Sequence, residues 1–158
     1  MTCRNFMYGD IQKSIDLAKN PIGAPNILIA LGLSCYTEYW GKLSLGIAKE
    51  NSRQCYYSFF GRLGTEYQKL INSGYDIYSK VRCGLVHSYM MESNGIINLG
   101  RGDCGIAIDR EKDTYVFNII TYFEDFNKAV DTYIEGLESG SEDIGKMEKA
   151  LRNKPILI

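Results

Sequence analysis

Between Tyr56 and Ile71 the apolar residues fall on a helical stripe, and this pattern constrains the fold more than any other stretch of the chain. Tyr56, Phe59, Phe60, Leu63, Tyr67, Leu70 and Ile71 stand at i, i+3, i+4, i+7, i+11, i+14 and i+15. At about 3.6 residues per turn they share one side of a helix, which the spacing carries through Gly61 and Gly64. Asn51, with Gln54 three positions later, supplies a capping signal at the start. Asn72-Ser73-Gly74 supplies the stop. A helix this one-sided must bury its stripe against other elements.

The neighbouring segments provide them. Met7, Ile11, Ile15 and Ala18 lie on one face of a first helix from about Phe6 to Lys19, stopped by Asn20-Pro21. Gly23-Ala24-Pro25-Asn26 turns into a second helix, about Ile27 to Lys49. It is apolar nearly all round at its start and carries Gly32, Gly41 and Gly46, small residues that permit close packing. A fourth helix is predicted over Tyr75–Met91. Ile106-Ala107-Ile108 and Tyr115-Val116-Phe117 flank a polar turn and read as a β-hairpin. Ile119, Phe123, Phe126, Val130, Tyr133, Ile134 and Leu137 mark a fifth helix, and Ser141 is a candidate cap for a short last one through Ile144, Met147 and Leu151. Short connections and no internal repeat make one domain over 1–158 the economical expectation. Its predicted fold class is mainly α: an antiparallel up-down helical bundle of five to six helices with a small inserted β-hairpin.

The bulk numbers narrow the function. Apolar residues make up 45% and charged residues 23%, a globular balance. The net charge of -1 argues against a general nucleic-acid coat. Charge is uneven, however: Lys42–Arg82 holds seven bases and three acids, and Asp103–Asp143 holds eleven acids and three bases. These are two solvated faces, or a basic surface for an anion and an acidic one for a basic partner. No apolar run reaches membrane-spanning length, and the start is unlike a signal peptide. Five cysteines without a CxxC pair indicate neither a zinc site nor a disulfide framework. Reduced thiols and a cytoplasmic location are expected, with no cofactor and no metal.

Chemistry concentrates in Arg82-Cys83-Gly84-Leu85-Val86-His87, which holds the only histidine of the chain. An arginine is always charged and grips phosphate in a bidentate fork. A neutral imidazole can take a proton from a ribose hydroxyl near pH 7. On an ideal helix Tyr78, Val81, Leu85 and Tyr89 form the core stripe, Arg82 lies about 40° from its centre, and His87 about 180° away. His87 is then exposed or faces a second chain. The two groups do not share a face of one helix, so two copies of the helix would bring them together more naturally.

Arg82-x4-His87, late in an all-helical chain of this size, resembles the motif of the HEPN superfamily. Its members are helical bundles. Many are metal-independent endoribonucleases that dimerise and build one cleft from the motif residues of both chains. The resemblance implies a homodimer in which His87 is the general base or acid at the 2′-hydroxyl and Arg82 holds the scissile phosphate. RNA or a nucleotide is the implied ligand, in a toxin–antitoxin-like setting with a protein partner possible. One departure is visible: many catalytic members carry a polar residue after the arginine, where this chain has Cys83.

The rival expectation is a non-catalytic helical bundle that binds a nucleotide or a partner protein. Here His87 is a surface residue and Arg82 is salt-bridged across the bundle. Lesser signals each carry a plainer reading. Cys83 and His87 at i, i+4 could pair a thiol with a base or hold a metal, but no third group is identifiable and two ligands are too few. Asn98–Gly105 is glycine-rich but lacks a P-loop ending. The twelve tyrosines could stack on bases, but fit the core at helical spacing.

Overall fold

A computed structural model describes residues 2–20, 25–47, 51–91 and 94–153. Among them are seven α-helices: α1 (Thr2–Ala18), α2 (Asn26–Leu45), α3 (Ser52–Phe60), α4 (Thr65–Asn72), α5 (Gly84–Ser88), α6 (Ile119–Ser139) and α7 (Ile144–Asn153). Three short strands, β1 (Ile96–Asn98), β2 (Ile106–Asp109) and β3 (Thr114–Asn118), form one sheet in the order β1-β3-β2. The protein is thus mainly helical with a small sheet. The expected turn at Gly23-Ala24 and the end of the second helix at Lys49 lie outside the described residues. α2 itself stops at Leu45, where Gly46 turns left-handed at φ 67°.

The stripe that began the sequence reading is buried as its spacing requires. Tyr56, Phe59 and Phe60 are wholly buried, and Leu63 and Tyr67 nearly so. The Asn51 side chain accepts the Gln54 N–H at 3.1 Å, as a cap should. The expected single helix is nevertheless two. α3 ends in a 3₁₀ turn over Gly61–Leu63, and Gly64 adopts φ 149°, which no helix can contain. The break leaves the stripe facing the same way, since the rings of Phe60 and Tyr67 meet edge to face at 5.0 Å across it.

α2 is the central helix, packed against α1, α3, α6 and α7. Its apolar character on nearly every side follows from that position. Met7, Ile11 and Ile15 of α1, and Phe123, Phe126, Val130 and Tyr133 of α6, complete the core on the faces their periodicity marked.

The expected hairpin is present as β2 and β3, with Ile106 opposite Phe117 and Ile108 opposite Tyr115. The Asp109 carboxylate accepts the Glu111 N–H at 3.1 Å and shapes the turn. The sheet has a third strand that the sequence did not announce. β1 runs parallel to β3, so no local turn joins the pair, and three residues are too few to alternate. Ser141 does not cap the last helix. Its hydroxyl donates to the Gly136 carbonyl at the end of α6, and Asp143 accepts the Gly145 N–H at the start of α7.

Candidate functional site

The site region begins at Asp76. Its carboxylate accepts the Ser79 N–H at 3.1 Å and the Arg53 guanidinium at 2.8 Å. Tyr57 accepts the Tyr78 N–H through its hydroxyl at 3.1 Å. From this anchored start the chain enters a π-helical turn over Tyr78–Cys83 and then the short α5. The single α-helix expected over Tyr75–Met91 is therefore corrected. A π turn closes i→i+5 bonds, holds an extra residue, and shifts every later side chain relative to an ideal α-helix. Ile77, Val81 and Leu85 are wholly buried and fix this segment to the core. Tyr89 leaves the predicted stripe: it ends the helix at φ 58° and is exposed.

Arg82 faces α2. Its Nη2 lies 2.6 Å from Glu38 Oε2, and Lys42 Nζ lies 2.9 Å from Glu38 Oε1. Glu38 is buried, and the Arg82 side chain is only 16% exposed. The Arg82 guanidinium also lies over the Tyr78 ring at 5.6 Å, and Arg53 over the same ring at 5.3 Å. The close approach to Glu38 is an ion pair without hydrogen-bond geometry, so Arg82 Nε and Glu38 Oε2 stay buried without a hydrogen-bond partner. Burial alone would depress the Arg82 pKa, but the Glu38 carboxylate, together with Tyr78, Cys35 and Cys83, outweighs it and holds the guanidinium above its ordinary value. Two cations share one carboxylate, so the cluster keeps a net positive charge.

His87 is exposed in the last turn of α5, while Val81 and Leu85 of the same segment are buried. Among the described residues no hydrogen bond joins it to Arg82. The structure therefore places both on one continuous helical segment but brings only Arg82 into the buried cluster. Burial pushes the Cys35 thiol, close to this cluster, above its ordinary pKa and disfavours the thiolate. No metal-binding group of three or more His, Cys, Asp or Glu side chains occurs among the described residues. The Asn98–Gly105 loop uses its amides internally: Gly100 N–H donates to the Asn98 side chain, Gly102 N–H to Thr121 and Gly105 N–H to the Tyr67 hydroxyl. They do not form a phosphate cradle.

Glu38 and Lys42 are the residues the sequence reading missed. Their signal was available, for they are the only charged residues of α2, placed i, i+4 in an otherwise uncharged helix.

The Asp76 anchor gives a testable consequence. Burial raises its pKa, but the Arg53 guanidinium and the Ser79 N–H outweigh that and hold it below the ordinary carboxylate value. Its contribution is thus fully present above about pH 4 and lost as pH falls through the lower folded value. Asp76→Asn should cost under about 1 kcal/mol at pH 7, since the pair is exposed. The cost should shrink progressively in urea melts as the pH is lowered below about 4.

No protein-family model, no curated protein and no solved structure matches this chain. Among the described residues no helix is long and apolar enough to cross a membrane.

Proposed function

We propose that the chain is a HEPN-like, metal-independent endoribonuclease acting as a cytoplasmic homodimer, its helices arranged as an antiparallel bundle. The carrying observation is the pairing of an immobilised cation with an exposed imidazole on one short helical segment. Arg82 is held by Glu38 and Tyr78, and His87 is exposed in the last turn. In a two-fold cleft, one His87 takes the 2′-hydroxyl proton. The 2′-oxygen then attacks phosphorus, and the bond to the 5′-oxygen breaks. The partner subunit's His87 protonates the departing oxygen. The positive cluster of Arg82 and Lys42 stabilises the charge gathering on the phosphoryl oxygens.

Under this reading RNA is cleaved in EDTA, and a 2′-deoxy sugar at the scission site blocks cleavage. His87→Ala should lower the rate by about 10²–10⁴-fold while the fold is retained, because no second histidine can replace it. Undiminished cleavage by His87→Ala refutes the assignment.

One observation favours the second reading, a non-catalytic bundle binding a nucleotide or a partner protein. Glu38 already occupies the guanidinium that would grip phosphate. Nucleotide binding in fluorescence titration without turnover would select this reading.

A further inference from the structure

A groove of about 290 Å³ lies between α4 and β2. Leu70 of α4 and Tyr75 line one side. Ile106, Ala107 and Ile108 line the other, in succession. Side chains of a strand alternate between its faces, so a groove that meets all three runs along the strand's edge. Neither Arg82 nor His87 lines it, so the groove is separate from the proposed cleavage chemistry.

The register of the sheet shows which main-chain groups this edge offers. The Asn118 N–H donates to the Gly105 carbonyl at 2.8 Å, so these two form a hydrogen-bonded pair. Hydrogen-bonded and non-hydrogen-bonded pairs alternate along an antiparallel ladder. Ile106 opposite Phe117 and Ile108 opposite Tyr115 are therefore non-hydrogen-bonded pairs, and their N–H and C=O groups point away from β3. The Cys104 sulfur takes the Ile106 N–H. Among the described residues the Ile106 carbonyl and both Ile108 groups have no main-chain partner. Ile106-Ala107-Ile108 also carries none of the charges or prolines that guard an exposed edge. The other edge of the sheet, β1, packs against α2.

Charge selects the occupant. The lining holds two cations and one carboxylate: Lys69, Arg110 and Glu66. Lys69 Nζ is committed to Glu66 at 2.6 Å. Arg110 is exposed, with its guanidinium over the Tyr75 ring at 6.0 Å, and no carboxylate pairs with it among the described residues. The neighbouring Asp109 is taken up by its own turn and by Lys112. Tyr75 meets Tyr115 edge-on at 6.3 Å, which puts it on the face of the sheet that Ile106 and Ile108 share. We propose that this edge docks an extended segment of a partner protein. The segment adds to the sheet as a strand beside β2, sets an apolar side chain against Leu70 and Tyr75, and brings a carboxylate two residues away to Arg110.

The probe is the peptide acetyl-Thr-Val-Thr-Glu-Thr-Val-Thr-amide, palindromic so that it serves either strand direction. A copy with Lys for Glu controls for charge, and a fully N-methylated copy lacks the main-chain donors. In ¹H–¹⁵N spectra of the ¹⁵N-labelled protein, the first peptide should move the Ile108 amide downfield and saturably and slow its hydrogen exchange. The N-methylated copy should do neither. Ile108→Pro removes an N–H that the β2–β3 ladder does not use, and should weaken binding about five- to tenfold. The Glu peptide should bind about threefold tighter than the Lys peptide, and Arg110→Glu should reverse that order. If Ile108→Pro does not fold, the N-methyl contrast and the exposed Arg110→Glu variant still decide the question. No saturable Ile108 shift with millimolar peptide overturns the proposal, as does equal binding of the N-methylated copy. So does an Ile108 amide already protected in the peptide-free monomer, which would show the edge covered by the chain itself. An Ile108 shift that grows with protein concentration alone overturns it in favour of a second copy.

Discussion

Replacing Gly41 by alanine should unfold the protein or lower its melting temperature by about 10 °C or more. α2 and α3 meet here backbone to backbone. A Cβ on Gly41 would sit 1.8 Å from the Cys55 carbonyl oxygen and 2.5 Å from its carbon. No rotamer change relieves a clash with main chain, so the two helices must part. α3 carries Tyr56, Phe59 and Phe60, all wholly buried, and their packing is lost as it moves. The cost should be roughly 3 kcal/mol or more, at the upper end of overpacking effects. For a chain of this size that corresponds to about 10 °C. Gly9→Ala is the control. Nothing lies within 4 Å of its new Cβ, and a helical glycine-to-alanine change should stabilise by about 0.5–1 kcal/mol. Thermal melts followed by circular dichroism check both. Equal melting temperatures for Gly41→Ala and the natural chain would contradict the described α2–α3 crossing.

The buried ion cluster should respond asymmetrically to truncation. Glu38→Ala removes the carboxylate between two cations and leaves Arg82 and Lys42 without it. Breaking a buried pair in this way costs about 3–5 kcal/mol. Arg82→Ala leaves Glu38 still paired with Lys42, so its cost should be about half as large. Urea titration of both variants tests the order. If Arg82→Ala is the more damaging, or if both cost under about 1 kcal/mol, the cluster is not the two-cation arrangement around a buried carboxylate described. For the proposed chemistry, Glu38 positions Arg82 rather than touching RNA. Glu38→Gln should therefore retain cleavage better than Arg82→Ala does.

Much of this architecture was legible from periodicity. The faces of α1, α3 and α6 that bury Met7, Ile11, Phe59, Phe126 and Tyr133 are those the apolar spacing marked. Burial follows spacing because a face is set by local geometry. Continuity was less legible. The stripe from Tyr56 to Ile71 persists through Gly61 and Gly64, yet the helix does not, because Gly64 takes a conformation that apolar spacing does not encode. β1 escaped notice because its partner strand is parallel and remote in sequence.

The candidate site divides similarly. The exposure of His87 was predictable from its angle opposite Val81 and Leu85. The π turn was not, since no residue type in Tyr78–Cys83 demands it, and it is what places Arg82 in its observed setting. Nor was the pairing of Arg82 with Glu38, which depends on how α2 packs against that turn. A lone Glu–Lys pair in an apolar helix shows that a charge must be satisfied, but not by which distant residue.

The central claim is that His87 and Arg82 cleave RNA through the 2′-hydroxyl. Its most direct test is the chemistry of the product ends, read by mass spectrometry after incubating a short RNA with the natural chain and with His87→Ala in EDTA. The account predicts a 2′,3′-cyclic phosphate and a 5′-hydroxyl from the natural chain, and intact RNA from the variant. A 3′-hydroxyl with a 5′-phosphate, intact RNA from the natural chain, or equal cleavage by both proteins would contradict it.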